Sequence, residues 1–352
     1  MMTVKPGAIR FNTDSMKLEI FRGGTNYEGT AAIHNEHGTV TAGQWEEIQA
    51  TSPEAQTGGA LGIIAGGWTN PAPVDIDKIQ ISTTGDAVDY GDLSAARYAM
   101  FSASDRTRGV FAGGRNDPSP AAAMTTMDFI AIASGGTATS FGSLVTASDS
   151  GTKGNMGNST RGIFARLESE EMRYITIQST GDALDFGDLT SSDSGGSAVA
   201  SSPTRGVIFG KKASAPGAEI DYLTTATLGN ASDFGDLTQP ALNTSGNSNA
   251  VRAVIAMGTG PAQPAGIGIN TLEYITIATL GNSKDFGDAT VARRSRGCCS
   301  SSTRGVFAGG ADPGSNVMDY VQIPSLGDAK DFGDLDRNSE SPGSCSNGHG
   351  GL

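Results

Sequence analysis

The stretch DYVQIPSLGDAKDFGDL, at residues 319–335, recurs along the chain at a regular interval. Five further copies share its alternating apolar residues and its aromatic–glycine pair, and they begin at Glu273, Asp221, Arg173, Asp128 and Asp77. A second element precedes each copy and reads TRGVFAGG at residues 303–310 and again at residues 107–114. The chain therefore contains six repeats of about 48 residues, a period typical of repeat architectures.

Each repeat contains four short stretches with β-strand character. In YITIAT, period-2 alternation places Ile275 and Ile277 on one face, as a half-buried strand requires. Four strands per unit at this period predict an all-β fold of six propeller blades, with a solenoid as the alternative. The last residues, CSNGHGGL, match the first strand of a repeat (CSSSTRGV from Cys299), which the first repeat lacks. We therefore expect the C-terminal strand to complete blade 1 and close the ring, which removes open sheet edges.

Composition narrows the possible partners. Glycine supplies 50 of 352 residues, which disfavours a helical fold, and the net charge of −13 disfavours nucleic acid or an anionic membrane as partner. No apolar run approaches the ~20 residues of a membrane span, and no secretory signal begins the sequence, so membrane insertion is not expected. Three cysteines and three histidines predict neither a disulfide framework nor a metal site, and no cofactor is expected.

The first fifty residues differ from the repeats. PGAIRFNTDSMKLEIF reads as a hairpin with Ile9 and Phe11 on one strand, residues 12–15 as the turn, and Leu18 and Ile20 on the return strand. The later GQWEEI supplies a further strand. The predicted organisation is a β module at residues 1–50 for attachment and oligomerisation, a linker at 51–58 and the propeller at 59–352.

The repeats resemble the kelch repeat. A glycine pair ends the second strand, aromatic residues stand in the third and fourth strands, and an arginine follows shortly afterwards at Arg97, Arg293 and Arg337. Phe and Tyr replace the usual fourth-strand tryptophan, so the predicted fold is a kelch-like β-propeller. The copies TRGVFAGG and GDAxDFGDL and the ending CSNGHGGL are similar to kelch-like virion proteins of tailed bacteriophages, especially those of aquatic, cyanobacterial-type hosts. The first module is similar to the amino-terminal modules of phage tail fibres.

This resemblance implies a virion protein, assembled in the host cytoplasm, whose first module contacts other virion proteins. The implied role is that of a homo-oligomeric tail-fibre or appendage component that attaches to a host-surface glycan or protein without catalysis. Two alternatives remain open. One is a head, neck or tail decoration that contacts only other virion proteins. The other is a glycan-cleaving enzyme, which would need two carboxylates in a cleft.

Two recurring acidic motifs have structural interpretations. Asp-Phe-Gly, a kinase magnesium motif, occurs once per blade in four blades and without the other kinase motifs, which indicates architecture. Asp residues at i, i+3 and i+6, as in Asp328/Asp331/Asp334, could bind Ca²⁺. In the second repeat all three become Thr or Ser, which are poor calcium ligands but still form side-chain-to-backbone bonds. Turn capping is therefore predicted, with calcium binding as the alternative.

An arginine begins the second strand in five blades, at Arg108, Arg161, Arg205, Arg252 and Arg304, with Leu61 in the remaining blade. We expect these arginines to form blade-to-blade or blade-to-turn pairs with the acidic residues. The alternative is a ring of guanidinium groups for an anionic ligand. Cys298 and Cys299 fall in a first strand near the axis with no adjacent base, so a nucleophilic role is not expected.

Recognition is expected on the loops that join second and third strands. The chain enters blade 1 at the start of its second strand, so the first module leaves from the opposite face and these loops point outward. They range from residues 168–172 in blade 3 to residues 259–272 in blade 5, and the long loop is expected to carry few core residues. Exposed loops of varying length on a rigid scaffold are common binding sites. The candidates are Trp68, Asn70, Arg115, Asn116, Asp117, Glu168, Glu170, Lys211, Lys212, Gln263 and Asp312.

Overall fold

The computed structural model describes residues 8–12, 17–22, 44–47, 60–69, 72–116, 122–148, 151, 153–165, 169–192, 196–211, 217–261, 267–311 and 314–352. The chain divides into two compact units, Met1–Gln56 and Thr57–Leu352. The predicted linker at 51–58 lies outside the described residues. Nowhere in the described ranges is there a helix of the length and apolarity that a membrane span requires.

The first unit contains a three-stranded antiparallel sheet. Its strands are Ile9–Asn12, Lys17–Arg22 and Gln44–Glu47, and the middle strand pairs with both others. The predicted hairpin is present, with Ile9 paired with Ile20 and Phe11 paired with Leu18. Asn12 lies in the strand, paired with Lys17, and the rest of the predicted turn lies outside the described residues.

The second unit is an all-β ring of six small antiparallel sheets, as predicted. Five first strands line the axis: Phe101–Ser104 in blade 2, Ala198–Ser201 in blade 4, Ser245–Ser248 in blade 5, Gly297–Ser300 in blade 6 and Gly343–Ser346 in blade 1. The second strands, from blade 1 to blade 6, are Leu61–Ala65, Arg108–Ala112, Arg161–Ala165, Arg205–Lys211, Arg252–Ala256 and Arg304–Ala308. The third strands are Asp75–Gln80, Met124–Ala131, Glu171–Thr176, Gly217–Thr224, Thr271–Thr276 and Val317–Gln322. The fourth strands are Val88–Asp92, Thr139–Ser148, Leu184–Asp188, Ser232–Ala241, Lys284–Asp288 and Lys330–Asp334.

The C-terminal strand closes the ring. Gly343–Ser346 pairs antiparallel with Leu61–Ala65, and Cys345 lies opposite Ile63 in this ladder. Blade 1 is therefore built from both ends of the unit, as the match between CSNGHGGL and a first strand predicted. The solenoid alternative is wrong.

The hydrophobic core lies between the blades. Six buried clusters each combine residues of two neighbouring blades; for example, Ile64 of blade 1 packs with Val306 and Phe332 of blade 6. Alternation along each strand sends its apolar side chains into these clusters, and Ile275 and Ile277 are both buried, as predicted. Each blade thus depends on its neighbours for burial of its apolar face.

The Asp-Phe-Gly motif joins one blade to the next. In blade 6 the carbonyl of Phe332 accepts a 2.7 Å hydrogen bond from the N–H of Gly85, in the turn between the third and fourth strands of blade 1. Gly333 adopts φ of +138°, and a Cβ there would lie 2.5 Å from the Gly85 carbonyl. The same contact recurs between every pair of neighbouring blades. Glycine is required because the two backbones touch.

Blade 3 departs from the pattern at the axis. The strand here is reduced to Lys153–Gly154, which pairs in parallel with Ala198–Ser201 of blade 4, and among the described residues pairing with the second strand of blade 3 is limited to the isolated bridge between Gly157 and Gly162. This segment lies within 8 Å, between Cα atoms, of each of the other five first strands. A Cβ on Gly154 would lie 2.1 Å from the Val199 carbonyl, so only glycine fits in this central position.

Candidate functional site

The propeller has two distinct faces. The turn face carries the connections from first to second strands and from third to fourth strands. The loop face carries the connections from second to third strands, together with the connectors from each fourth strand to the next blade. The described part of the propeller begins at Ala60, directly before the second strand of blade 1 and therefore at the turn face. The predicted recognition loops all belong to the loop face.

Backbone pairing fixes the bases of these loops in four blades. Each loop pairs with the connector that enters its blade, in the bridges Trp68↔Glu340, Arg115↔Tyr98, Thr259↔Leu242 and Ala311↔Arg294. The connectors are also joined to one another around the axis, because the N–H of Ala99 bonds to the Ser341 carbonyl and that of Ser341 bonds to the Ser295 carbonyl. The loop face is therefore a hydrogen-bonded platform rather than a set of independent loops.

Trp68 is the largest exposed apolar side chain among the described residues of this platform. Its indole is 46% exposed although its backbone N–H donates a 2.6 Å hydrogen bond to the Glu340 carbonyl. The Glu340 carboxylate lies 3.8 Å from the Arg294 guanidinium, and both side chains are partly exposed. An exposed indole beside an ion pair offers an apolar surface with adjacent hydrogen-bonding groups, as recognition surfaces commonly do. Sequence analysis predicted Trp68 but missed Arg294 and Glu340, which stand in connectors.

Three other candidates have described side chains. Arg115 and Asn116 are half-buried on one loop, and Asn116 accepts a 2.6 Å hydrogen bond from the N–H of Ala122. Glu170 is exposed on the short loop of blade 3. For Lys211 the structure describes only the backbone, at the end of a second strand. The remaining candidates lie outside the described residues: Asn70, Asp117, Glu168, Lys212, Gln263 and Asp312.

The long loop of blade 5 carries more core than expected. It spans residues 257–270, two residues earlier than predicted. Met257 is fully buried, Thr259 is 4% exposed and paired with Leu242, and Ile269 packs against the core between blades 4 and 5. The expectation of few core residues is wrong for both ends of the loop, since pairing with the neighbouring connector draws them inward.

The second-strand arginines bond blade to blade, but not to acidic residues. Arg252 donates a 2.8 Å hydrogen bond to the Ile323 carbonyl of the next blade, while its guanidinium stacks 4.6 Å from the centre of the Tyr274 ring. The other four arginines repeat this arrangement. The predicted acidic partners are wrong because a main-chain carbonyl occupies that position. In blade 1, which lacks the arginine, the Tyr90 hydroxyl makes the equivalent 2.9 Å bond to the Ile132 carbonyl.

A set of buried acids in the third strands was missed by sequence analysis. Asp128 is fully buried and forms a 2.8 Å ion pair with Arg97, the arginine that follows the fourth strand of the preceding blade. The corresponding pairs are Arg293 with Asp319 and, more loosely at 3.6 Å, Arg337 with Asp77. Where no arginine follows, threonine hydroxyls bond to Asp221 and Glu273. The sequence does contain a signal for this set, because an acidic residue recurs within the alternating apolar residues of the third strand.

Asp77 is the least well paired of these acids. Neither carboxylate oxygen has a hydrogen-bond partner among the described residues, and its exposure is 1%. Burial raises the pKa of Asp77 to about 6, against the opposing effect of Arg337. This carboxyl is therefore partly protonated near pH 6.

The aspartate-rich turns use their first residue to hold the neighbouring blade. Asp328 accepts a 3.0 Å bond from the N–H of Asp288, and Asp86 accepts one of the same length from the N–H of Asp334. Asp182, Asn230 and Asn282 do the same. This is the predicted side-chain-to-backbone capping, although it acts between blades rather than within one turn. No cluster of three or more acidic, His or Cys residues suited to a metal occurs among the described residues.

Buried side chains fill the axis, and burial keeps the thiol and imidazole groups there uncharged. Burial raises the pKa of Cys298 to about 12 and lowers the pKa of His349 to about 4, so the thiol and the imidazole are uncharged at neutral pH. At the turn face His349 Nε2 lies 2.9 Å from the Ser104 carbonyl. Ideal Cβ atoms on Gly350 and Gly351 would lie 2.3 Å from the Ser201 carbonyl and 2.2 Å from that of Gly157. The C-terminal tail therefore packs directly onto the ends of the first strands.

The turn face displays exposed aliphatic residues, each more than half exposed: Val88, Leu184, Leu228, Val251, Leu280 and Leu326.

No protein-family model and no curated protein matches the chain.

Proposed function

We propose that this chain is a tail-fibre or appendage component of a tailed bacteriophage, which binds a host-surface glycan or protein through its loop face without catalysis. The first unit attaches it to other virion proteins. The observation that carries the recognition role is Trp68, an exposed indole held by backbone pairing beside the Arg294–Glu340 ion pair. Trp and Arg are the side chains that most often dominate binding energy at interfaces.

The geometry supports outward presentation of this surface. The described propeller begins at the turn face, so attachment through the preceding residues leaves the loop face free for a receptor. Backbone pairing also fixes the loop bases before binding, which limits the conformational entropy lost on association. A rigid platform with side chains at its surface suits recognition more than a deformable lid.

Competition for adsorption tests the proposal. Purified protein should reduce adsorption of the phage to its host, and Trp68→Ala should weaken that competition about thirtyfold, since loss of an interfacial tryptophan typically costs about 2 kcal/mol. Leu184→Ala, a change of a residue that is 56% exposed on the turn face, is the matched control. Equal competition by wild type and Trp68→Ala would contradict recognition through this surface.

The second candidate is a decoration protein that contacts only other virion proteins. The exposed aliphatic residues of the turn face favour it, because apolar side chains displayed together commonly mark protein contacts. Immunogold labelling of intact particles separates the two proposals. Label at the distal end of the tail supports recognition, and label on the head, neck or tail shaft supports decoration.

A further inference from the structure

Two pockets of the same construction lie on neighbouring blades. The blade 5 pocket holds about 360 Å³ and the blade 6 pocket about 320 Å³. Each is formed by a third strand, a fourth strand and the turn between them. The shared lining consists of a tyrosine, a leucine and a lysine, which are Tyr274, Leu280 and Lys284 in blade 5 and Tyr320, Leu326 and Lys330 in blade 6.

The apolar side of each pocket is rigid and exposed. The Tyr274 ring is held between the Arg252 guanidinium, 4.6 Å from its centre, and an edge-on contact with Phe286. Tyr320 is held in the same way. Leu280 remains 58% exposed, as does its counterpart in blade 6. A fixed aromatic ring and an exposed aliphatic side chain together form the apolar wall of each pocket.

Polar groups complete the lining. Lys284 and Lys330 are exposed and make no ion pair with a described residue, so their ammonium groups can donate hydrogen bonds. Hydroxyl and amide groups line the same pockets at Thr276, Thr279, Gln322 and Ser325. The turns are fixed, because Asn282 accepts a bond from the N–H of Asp236 in the preceding blade. Each pocket thus presents several donors and acceptors on a rigid frame.

We propose that each pocket binds one hexose-sized sugar residue. A pyranose has an apolar C–H face, which suits the Tyr–Leu wall, and a rim of hydroxyls, which suits the lysine and the hydroxyl and amide groups. Only blades 5 and 6 combine the leucine with the lysine. At the positions of the leucine and the lysine, blade 4 has Leu228 and Ser232, and blade 3 has Thr180 and Leu184. The repeat therefore encodes two sites per chain, whether or not the protein belongs to a virion.

A titration followed by amide NMR of the full-length protein tests this stoichiometry. The probes are the methyl glycosides of glucose, galactose, mannose, N-acetylglucosamine and glucuronic acid, each raised to high millimolar concentration. At least one should shift the amides of residues 274–284 and 320–330 together. The double variant Leu280→Ala/Lys284→Ser should lose at least tenfold in affinity at the first segment and keep the shifts of the second.

The converse variant, Leu326→Ala/Lys330→Ser, should remove the second set of shifts alone, and it keeps the test open if the blade 5 variant fails to fold. Leu228→Ala in blade 4 is the matched control and should change neither set. Absence of shifts with all five glycosides would overturn the proposal, as would equal shifts at residues 222–232.

Discussion

A methyl group added at Gly109 tests the closure of the ring. Gly109 is the second residue of a second strand in blade 2, and its ideal Cβ would lie 2.6 Å from the Sγ atom of Cys345 on the closing strand. That distance is about 1 Å too short for van der Waals contact. Gly109 does not have a positive φ, so alanine introduces no backbone strain there. The effect of Gly109→Ala is therefore steric.

The expected magnitudes follow from packing. Overpacking of a core costs about 1–3 kcal/mol, and replacement of a strand glycine by alanine returns about 0.5–1 kcal/mol. We expect Gly109→Ala to lower the free energy of unfolding by about 1–2 kcal/mol. Cys345→Ala removes a fully buried sulfur and should cost about 1 kcal/mol. In the double variant the new methyl group occupies the space of the sulfur, so the two changes should offset each other by about 2 kcal/mol.

Urea unfolding of the wild type, the two single variants and the double variant measures this coupling energy. Thermal melting gives a second measure, with about 1.5 °C per kcal/mol for a unit of this length. Gly62→Ala with Cys299→Ala is the matched control. A Cβ at Gly62 meets the Cβ of Cys299 at 2.8 Å, and alanine keeps that atom, so the control pair should show little rescue. Additive effects in the Gly109–Cys345 cycle would mean that the closing strand does not lie in blade 1.

Three further changes test single features. Ser341→Gly should raise the free energy of unfolding by about 0.5–1 kcal/mol in urea titrations, because Ser341 adopts φ of +52°, whereas Ser341→Ala keeps the strain and should not stabilise. Tyr90→Phe should lower it by about 1 kcal/mol through loss of the hydrogen bond to the Ile132 carbonyl. Tyr274→Phe should change it little, because the Tyr274 hydroxyl makes no hydrogen bond to another described residue. Burial lowers the pKa of Lys153 to about 8, so the contribution of this lysine to the free energy of unfolding should rise between about pH 8 and 10.5, while the buried cysteines, whose pKa values burial raises, oppose it above pH 9. Melting curves of Lys153→Met and of the wild type over this range isolate the lysine, and the melting temperature of the wild type relative to the variant should rise with pH.

The features predicted correctly from sequence are those fixed by local alternation and by the repeat. Ile275 and Ile277 alternate with polar residues, so their burial and the register of this strand follow from the period of two. The closing strand was predictable because Cys345 stands in a copy of the first-strand sequence that begins at Cys299. Both signals are visible in side-chain identity alone.

The features that sequence analysis missed involve main-chain atoms or distant segments. The partner of Arg252 is the Ile323 carbonyl, and a backbone oxygen leaves no trace in the sequence. Trp68 pairs with Glu340, which lies near the other end of the chain, so the two residues meet only when the ring is closed.

The filled axis restricts where the proposed recognition can take place. Gly154 packs against the Val199 carbonyl in the centre of the ring, and Gly350 packs against the ends of the first strands at the turn face. A ligand that entered along the axis would have to displace backbone atoms that are already in contact. Specificity is therefore expected to vary at the loop face rather than along the axis, on loops whose described bases are held by backbone pairs such as Thr259 with Leu242.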